Sequence, residues 1–161
     1  MTSSKQQVEQ IIEMLNNRNE TISVAESLTA GGLANALTSA SGSSSIFIGG
    51  LTAYRNEIKI EMLGVDSKLI EENTVVSEAV AIAMADGAIK KFGSTWAIAT
   101  TGVAGPGPLE GHLPGEAWIA IRGPINQAIQ LTLQGNREQV RSGTISTAIA
   151  TLARILKARS S

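Results

Sequence analysis

The stretch TWAIATTGVA, Thr95 to Ala104, decides the fold. It is almost unbroken in apolar and small residues, the pattern of a strand buried on both faces within a sheet that helices cover on both sides. It is therefore the expected central strand. The segment that follows, GPGPLEGHLPG (105–115), is too dense in glycine and proline for regular structure and marks a functional or mobile loop where that strand ends.

Working back from this strand, Ser77 is a suitable N-cap for EAVAIAMADGAIKKF, and Gly93 supplies the stop. DSKLIEEN (66–73) reads as a turn before that helix. RNEIKIEMLG (55–64) reads as a short helix ended by Gly64. SIFIGGLTAY (45–54) reads as a strand in which Gly49 and Gly50 mark a bulge or a close backbone approach. TISVAE (21–26) is a short β-rich run, followed by small residues and by LANALTSA (33–40), which suits a tightly packed helix. Val8, Ile11, Ile12 and Leu15 recur at helical spacing and predict an amphipathic helix over residues 4 to 17.

On the C-terminal side, EAWIAIRG and AIQLTLQG, separated by PINQ, predict an antiparallel hairpin. Asn136 is the expected N-cap of a final helix, REQVRSGTISTAIATLARILKA. About five strands and four or five helices make an α/β chain: one domain over residues 1–161, a three-layer α/β/α sandwich around a mixed sheet of about five strands.

Composition agrees with this and excludes several function classes. The chain has 161 residues, enough for one domain burying roughly two-thirds of its unfolded surface. It is 43% hydrophobic but only 3% aromatic, so the core is aliphatic. Thirteen basic and fourteen acidic residues leave a net charge of −1 with no basic stripe, which gives nucleic acid no electrostatic footprint. Without cysteine there is no disulfide framework or thiolate site, and a cytosolic, cytoplasmic setting is the expectation. The N-terminus does not read as a signal peptide. No apolar run approaches the ~20 residues that span a bilayer, so no membrane partner is expected.

Ligands of open α/β sheets collect beyond the carboxyl ends of the strands. Segments expected to meet there are Glu26-Ser27-Leu28-Thr29, Tyr54-Arg55-Asn56, and Thr100 to Gly107. Ser27 reads either as a nucleophile or as a helix cap. A nucleophilic serine needs a base within reach: His112 is the only histidine and sits in the Gly/Pro loop, whereas Lys59, in the first turns of the helix after Tyr54, becomes a base if it is desolvated. An exposed Lys59 would merely be solvated. TTGVAGPG reads as a tight turn or as exposed amides that bind an anion. Arg137 and Arg141, four residues apart at the start of the last helix, read as a phosphate clamp or as a solvated face.

Taken together, AES (25–27), GSS (42–44), AYRNEIK (53–59), MLGV (62–65), VSE (76–78), TGVAGPG (101–107) and REQVR (137–141) resemble the C-terminal domain of the CinA proteins, whose stand-alone members are nicotinamide-nucleotide amidases. The likeness runs from about residue 5 to 157. It implies a five-stranded α/β/α sandwich and hydrolysis of the carboxamide of nicotinamide mononucleotide (NMN), a small-molecule substrate, without a metal or other cofactor. On the matching positions Ser27 would be the nucleophile and Lys59 its base, with Tyr54 beside them. Glu26, Thr29, Ala30, Gly31, Asn56, Thr101, Gly102, Ala104 and Gly105 would surround the substrate, amides of Thr29–Gly31 or Gly102–Gly105 would meet an oxyanion, and Arg137 or Arg141 would hold the phosphate. A homo-oligomer is the expected assembly.

This chain departs from the family pattern at Ala30, where a glycine is usual, at Arg55, where serine is common, and at Asn136, which replaces a frequent aspartate. Its loop PGPLEGHLPGEAW is shorter and lacks the usual lysine before the proline. The larger relatives carry an N-terminal pyrophosphatase-type domain, for which 161 residues leave no room, so that activity is not expected. A non-catalytic nucleotide-binding module of the competence or damage-inducible type is the alternative.

Overall fold

The computed structural model describes residues 2–160. The first element is α1, Ser4–Asn17, opened by a reciprocal capping box between Ser3 and Gln6. After it come β1 (Ile22–Glu26), α2 (Gly32–Leu37), β2 (Phe47–Thr52), α3 (Asn56–Leu63), α4 (Ser67–Asn73), α5 (Glu78–Phe92), β3 (Trp96–Gly102), β4 (Glu116–Arg122), β5 (Gln127–Thr132) and α6 (Arg137–Ser160). One sheet of five strands runs in the order β2-β1-β3-β4-β5, with β3 in the middle. The β2, β1 and β3 strands are parallel to one another, while β4 and β5 form the antiparallel hairpin.

The two faces of the sheet are chemically distinct. Ile22, Val24, Trp96, Ile98, Ile119 and Ile121 face α1, α2 and α6. The residues between them, Ala25, Ala97, Ala99 and Ala120, face the other way, where α5 packs over β3 and β4. Bulky side chains fill one face of β3 and alanine methyl groups the other, and on that second side Leu51 of β2 and Trp118 of β4 complete the layer that packs with α5. Each fully buried Ile or Val of these faces contributes roughly 1.5–3 kcal/mol relative to leaving it exposed.

Gly49 and Gly50 belong to a close approach. A β-carbon on Gly50 would lie 2.4 Å from the Val24 side chain, and the β1–β2 register slips so that Ile48 has no partner between Phe47 and Gly49. Two expectations need correction. DSKLIEEN is a helix, α4, because the Asp66 carboxylate caps it by accepting from the Lys68 amide. The α2 helix stops at Leu37, since the Thr38 and Ser39 hydroxyls turn back onto the carbonyls of Ala34 and Ala36. With α4 counted the described residues form six α-helices, and three strands stand in succession before α6. No helix of the described residues is long and apolar enough to cross a membrane.

Register places the site. Glu26 lies opposite Thr52 on one side and Thr100 on the other, so the three parallel strands end level and their continuations meet over the same edge.

Candidate active site

Ser27 is the first residue beyond β1, 8% exposed, and its amide donates to the Thr100 carbonyl at 3.0 Å. It is not the cap of α2. That role belongs to Glu26, whose carboxylate accepts from the amides of Leu33 (2.7 Å) and Ala34 (3.1 Å). A buried carboxylate held by amide donors is satisfied where it sits, and Glu26 is turned to α2 rather than to Ser27. The Ser27 hydroxyl is left for another partner.

That partner is Lys59. It shares the inward face of α3 with Leu63, four residues on, and is only 1% exposed. Its ammonium donates to Ser27 Oγ and to the Tyr54 carbonyl, each at 3.1 Å. Among the described residues no carboxylate forms an ion pair with it. Burial without a counter-ion penalises the charged amine and lowers its pKa to about 8, a shift that the negative charge of Glu110 partly opposes. Lys59 therefore loses its proton near pH 8 rather than near 10.5, while in contact with a hydroxyl.

The Ser27 side chain opens into a cavity of about 270 Å³. Its floor is Ser27 and Leu28. One wall is the turn from Gly102 to Gly105, and the other is Gly107, Pro108 and Leu109 of the Gly/Pro loop. Tyr54 and Arg137 stand at the mouth. Arg137 donates to the Gly105 carbonyl at 2.6 Å and to the Tyr54 hydroxyl at 3.1 Å, tying α6 to the ends of β2 and β3. Among the described residues no carboxylate lines the cavity, and Arg137 is the charged side chain in its lining. A larger hollow between α2 and α6, about 640 Å³, has no acidic or basic side chain in its lining and offers no comparable chemistry.

Of the residues expected at the site, Ser27, Tyr54, Gly102, Ala104, Gly105 and Arg137 line the cavity, and Lys59 lies directly behind Ser27. The others do not line it. The Thr29 hydroxyl bonds the Thr100 hydroxyl at 2.8 Å, and the Thr101 hydroxyl donates to the Val75 carbonyl at 2.8 Å. Ala30 (φ +48°) and Gly31 (φ +93°) form the left-handed turn into α2, which explains why glycine suits both positions. Asn56 begins α3 outside the cavity lining. Arg141 grips the Leu28 and Thr29 carbonyls instead of facing the cavity.

His112 is not a partner of Ser27. Its ring is held between Thr74 Oγ1 and Glu116 Oε2, each at 2.7 Å, and so fastens the Gly/Pro loop to the end of α4 and the start of β4. Leu28 and Val103 lie within segments expected to meet here but carried no assigned role, and Pro108 and Leu109 lie beyond those segments. Apolar residues in irregular segments carry no periodic signal, and only the level ends of the strands reveal them.

Residues 4–156 match the family model of the CinA C-terminal domain. The chain belongs to the CinA C-terminal domain family. A CinA-like protein of Synechococcus sp. is 50% identical over 115 residues, 71% of this chain and 28% of that protein. One of Mycolicibacterium vanbaalenii is 43% identical over 154 residues, 92% of this chain and 35% of that protein. This CinA domain thus spans about a third of the length of the curated relatives it matches. Among solved structures, the competence/damage inducible protein CihA of Agrobacterium tumefaciens superposes with a TM-score of 0.90 at 30% identity, covering 96% of this chain and 95% of that one. A CinA superfamily protein of Klebsiella pneumoniae superposes with a TM-score of 0.92 at 27% identity, covering 96% of this chain and 98% of that one.

Proposed function

We propose that this CinA domain hydrolyses the carboxamide of NMN to nicotinate mononucleotide and ammonia, with Ser27 as nucleophile and Lys59 as its general base. The observation that carries the reading is the 3.1 Å contact between a buried lysine without a counter-ion and a serine hydroxyl on a cavity floor. Neither residue needs such company for folding. A serine gains nucleophilicity only from an adjacent base, and an amine with a pKa of about 8 is a competent base near neutral pH.

The steps balance on these side chains. Neutral Lys59 takes the Ser27 hydroxyl proton as Oγ bonds to the carboxamide carbon. The tetrahedral intermediate collapses, the carbon–nitrogen bond breaks, and Lys59 returns the proton to the departing nitrogen, giving ammonia and an ester on Ser27. Lys59 then deprotonates a water that attacks the ester, and Oγ leaves with that proton. At the cavity mouth Arg137 offers positive charge to the 5′-phosphate, and Tyr54 keeps its O–H free to donate because its oxygen already accepts from Arg137.

The test is to incubate purified protein with NMN and measure ammonia and nicotinate mononucleotide. Turnover by the wild type and its loss in Ser27→Ala are expected. A folded wild type that binds NMN without hydrolysing it would favour the non-catalytic binding module, and turnover surviving Ser27→Ala would remove Ser27 as nucleophile.

A further inference from the structure

Leu28 and Thr29 follow the proposed nucleophile directly and are both buried, 4% and 0% exposed. Among the described residues, neither of their amides donates to a backbone or side-chain acceptor. A buried amide without a partner is uncommon and calls for an explanation. Where an acyl-transfer site uses the amide of the residue after its nucleophile as an oxyanion donor, such an amide is kept free for the transition state.

Both amides are held in place from the other end of their peptide units. A trans peptide is planar, with its N–H directed opposite to its C=O. The Ser27 carbonyl, which fixes the Leu28 N–H, accepts from the Ala30 amide at 3.0 Å. The Leu28 carbonyl, which fixes the Thr29 N–H, accepts from Arg141 Nε at 3.0 Å, while Arg141 Nη2 reaches the Thr29 carbonyl at 3.4 Å. A cation on a carbonyl oxygen also draws electron density from the N–H of that peptide and strengthens it as a donor.

Building on the Ser27–Lys59 reading, we propose that Arg141 is a positioning residue for the oxyanion: by gripping the Leu28 carbonyl it aims and polarises the free Thr29 amide, which joins the Leu28 amide in receiving the negative charge, while its second contact, to the Thr29 carbonyl, steadies the turn. Arg137, one helical turn earlier, is the arginine at the cavity, so the two arginines divide the work between substrate and backbone.

The test compares wild type, Arg141→Gln and Arg141→Lys in two assays: NMN kinetics, and the rate at which a fluorophosphonate labels Ser27, followed by intact-mass spectrometry. Losing a whole oxyanion donor typically lowers kcat by about 10²–10³-fold, so weakening one predicts a fall of about tenfold or more in Arg141→Gln with KM nearly unchanged, and a parallel fall in labelling. Arg141→Lys, a cation without the fork, should fall between the two and serves as the comparison if the glutamine variant does not fold. A raised KM with unchanged kcat, or wild-type labelling rates in the variants, overturns the proposal. A wild type that labels but leaves NMN intact overturns the substrate and leaves the labelling rates to decide on Arg141; one that does neither overturns both.

Discussion

At the scale of single residues, the most informative group is the ammonium of Lys59, because its environment disfavours the very charge that lysine normally carries. Its pKa falls from 10.5 to about 8, which costs the folded state on the order of 3 kcal/mol at neutral pH. The sign with pH follows from proton counts. Below about 8 both folded and unfolded chains hold the proton and the whole cost is present. Between about 8 and 10.5 only the unfolded chain holds it, so stability rises with pH. Lys59→Met removes the cost but also two hydrogen bonds, worth ~1 kcal/mol each. The variant is therefore expected to be inactive yet about 1–2 kcal/mol more stable than wild type at pH 7, and about 1 kcal/mol less stable at pH 10, where most of the charge cost has gone but the lost hydrogen bonds still count. Urea unfolding of both proteins at the two pH values measures this.

At the scale of elements, what was legible in the sequence depended on whether a local signal matched the global outcome. The long amphipathic α1, α5 with Ser77 and Gly93 at its ends, and the apolar β3 each carry their own periodicity and punctuation, and each forms where expected. The α4 helix was missed because seven residues hold too few turns for a period to show, and its signal was the single cap at Asp66. Of the site, spacing alone left Ser27 open as a helix cap and Lys59 as a solvated side chain; the family resemblance singled them out with Tyr54, and the structure brings Ser27 and Lys59 into contact. The division of labour between Arg137 and Arg141 was not legible, because residues four apart on a helix look alike until the chain they face is known. Likewise Glu26 was expected at the substrate because it adjoins the serine, although its two amide partners lie seven and eight residues on.

The Gly/Pro loop between β3 and β4 carries the prediction that belongs to this scale. His112 holds the loop that supplies Pro108 and Leu109 to the cavity wall, and it touches neither Ser27 nor Lys59. His112→Ala should therefore raise KM several-fold, through loss of two hydrogen bonds of ~1 kcal/mol each, with kcat nearly unchanged. Steady-state kinetics on NMN decides it, and loss of kcat to the level of Ser27→Ala would restore a serine–histidine mechanism.

At the scale of the whole molecule, the parallel half of the sheet and the antiparallel half have separate tasks. The β2, β1 and β3 strands end level and deliver Tyr54, Ser27 and the Gly102–Gly105 turn to one edge, and α3 carries Lys59 beneath that edge. The β4–β5 hairpin extends the sheet beyond β3, and α6 crosses back over the opposite face to bring its first turn to the site. Two apolar layers clamp this arrangement, so the lysine is kept dry by the fold as a whole rather than by any one neighbour. The central claim is that this buried, neutral amine activates Ser27, and the pH dependence of the initial rate of ammonia release from NMN tests it most directly. The rate should rise through a single ionisation near pH 8 and level off above it, as the pKa of about 8 at Lys59 requires; a folded protein whose rate shows no such rise, or that releases no ammonia at any pH, would contradict the account.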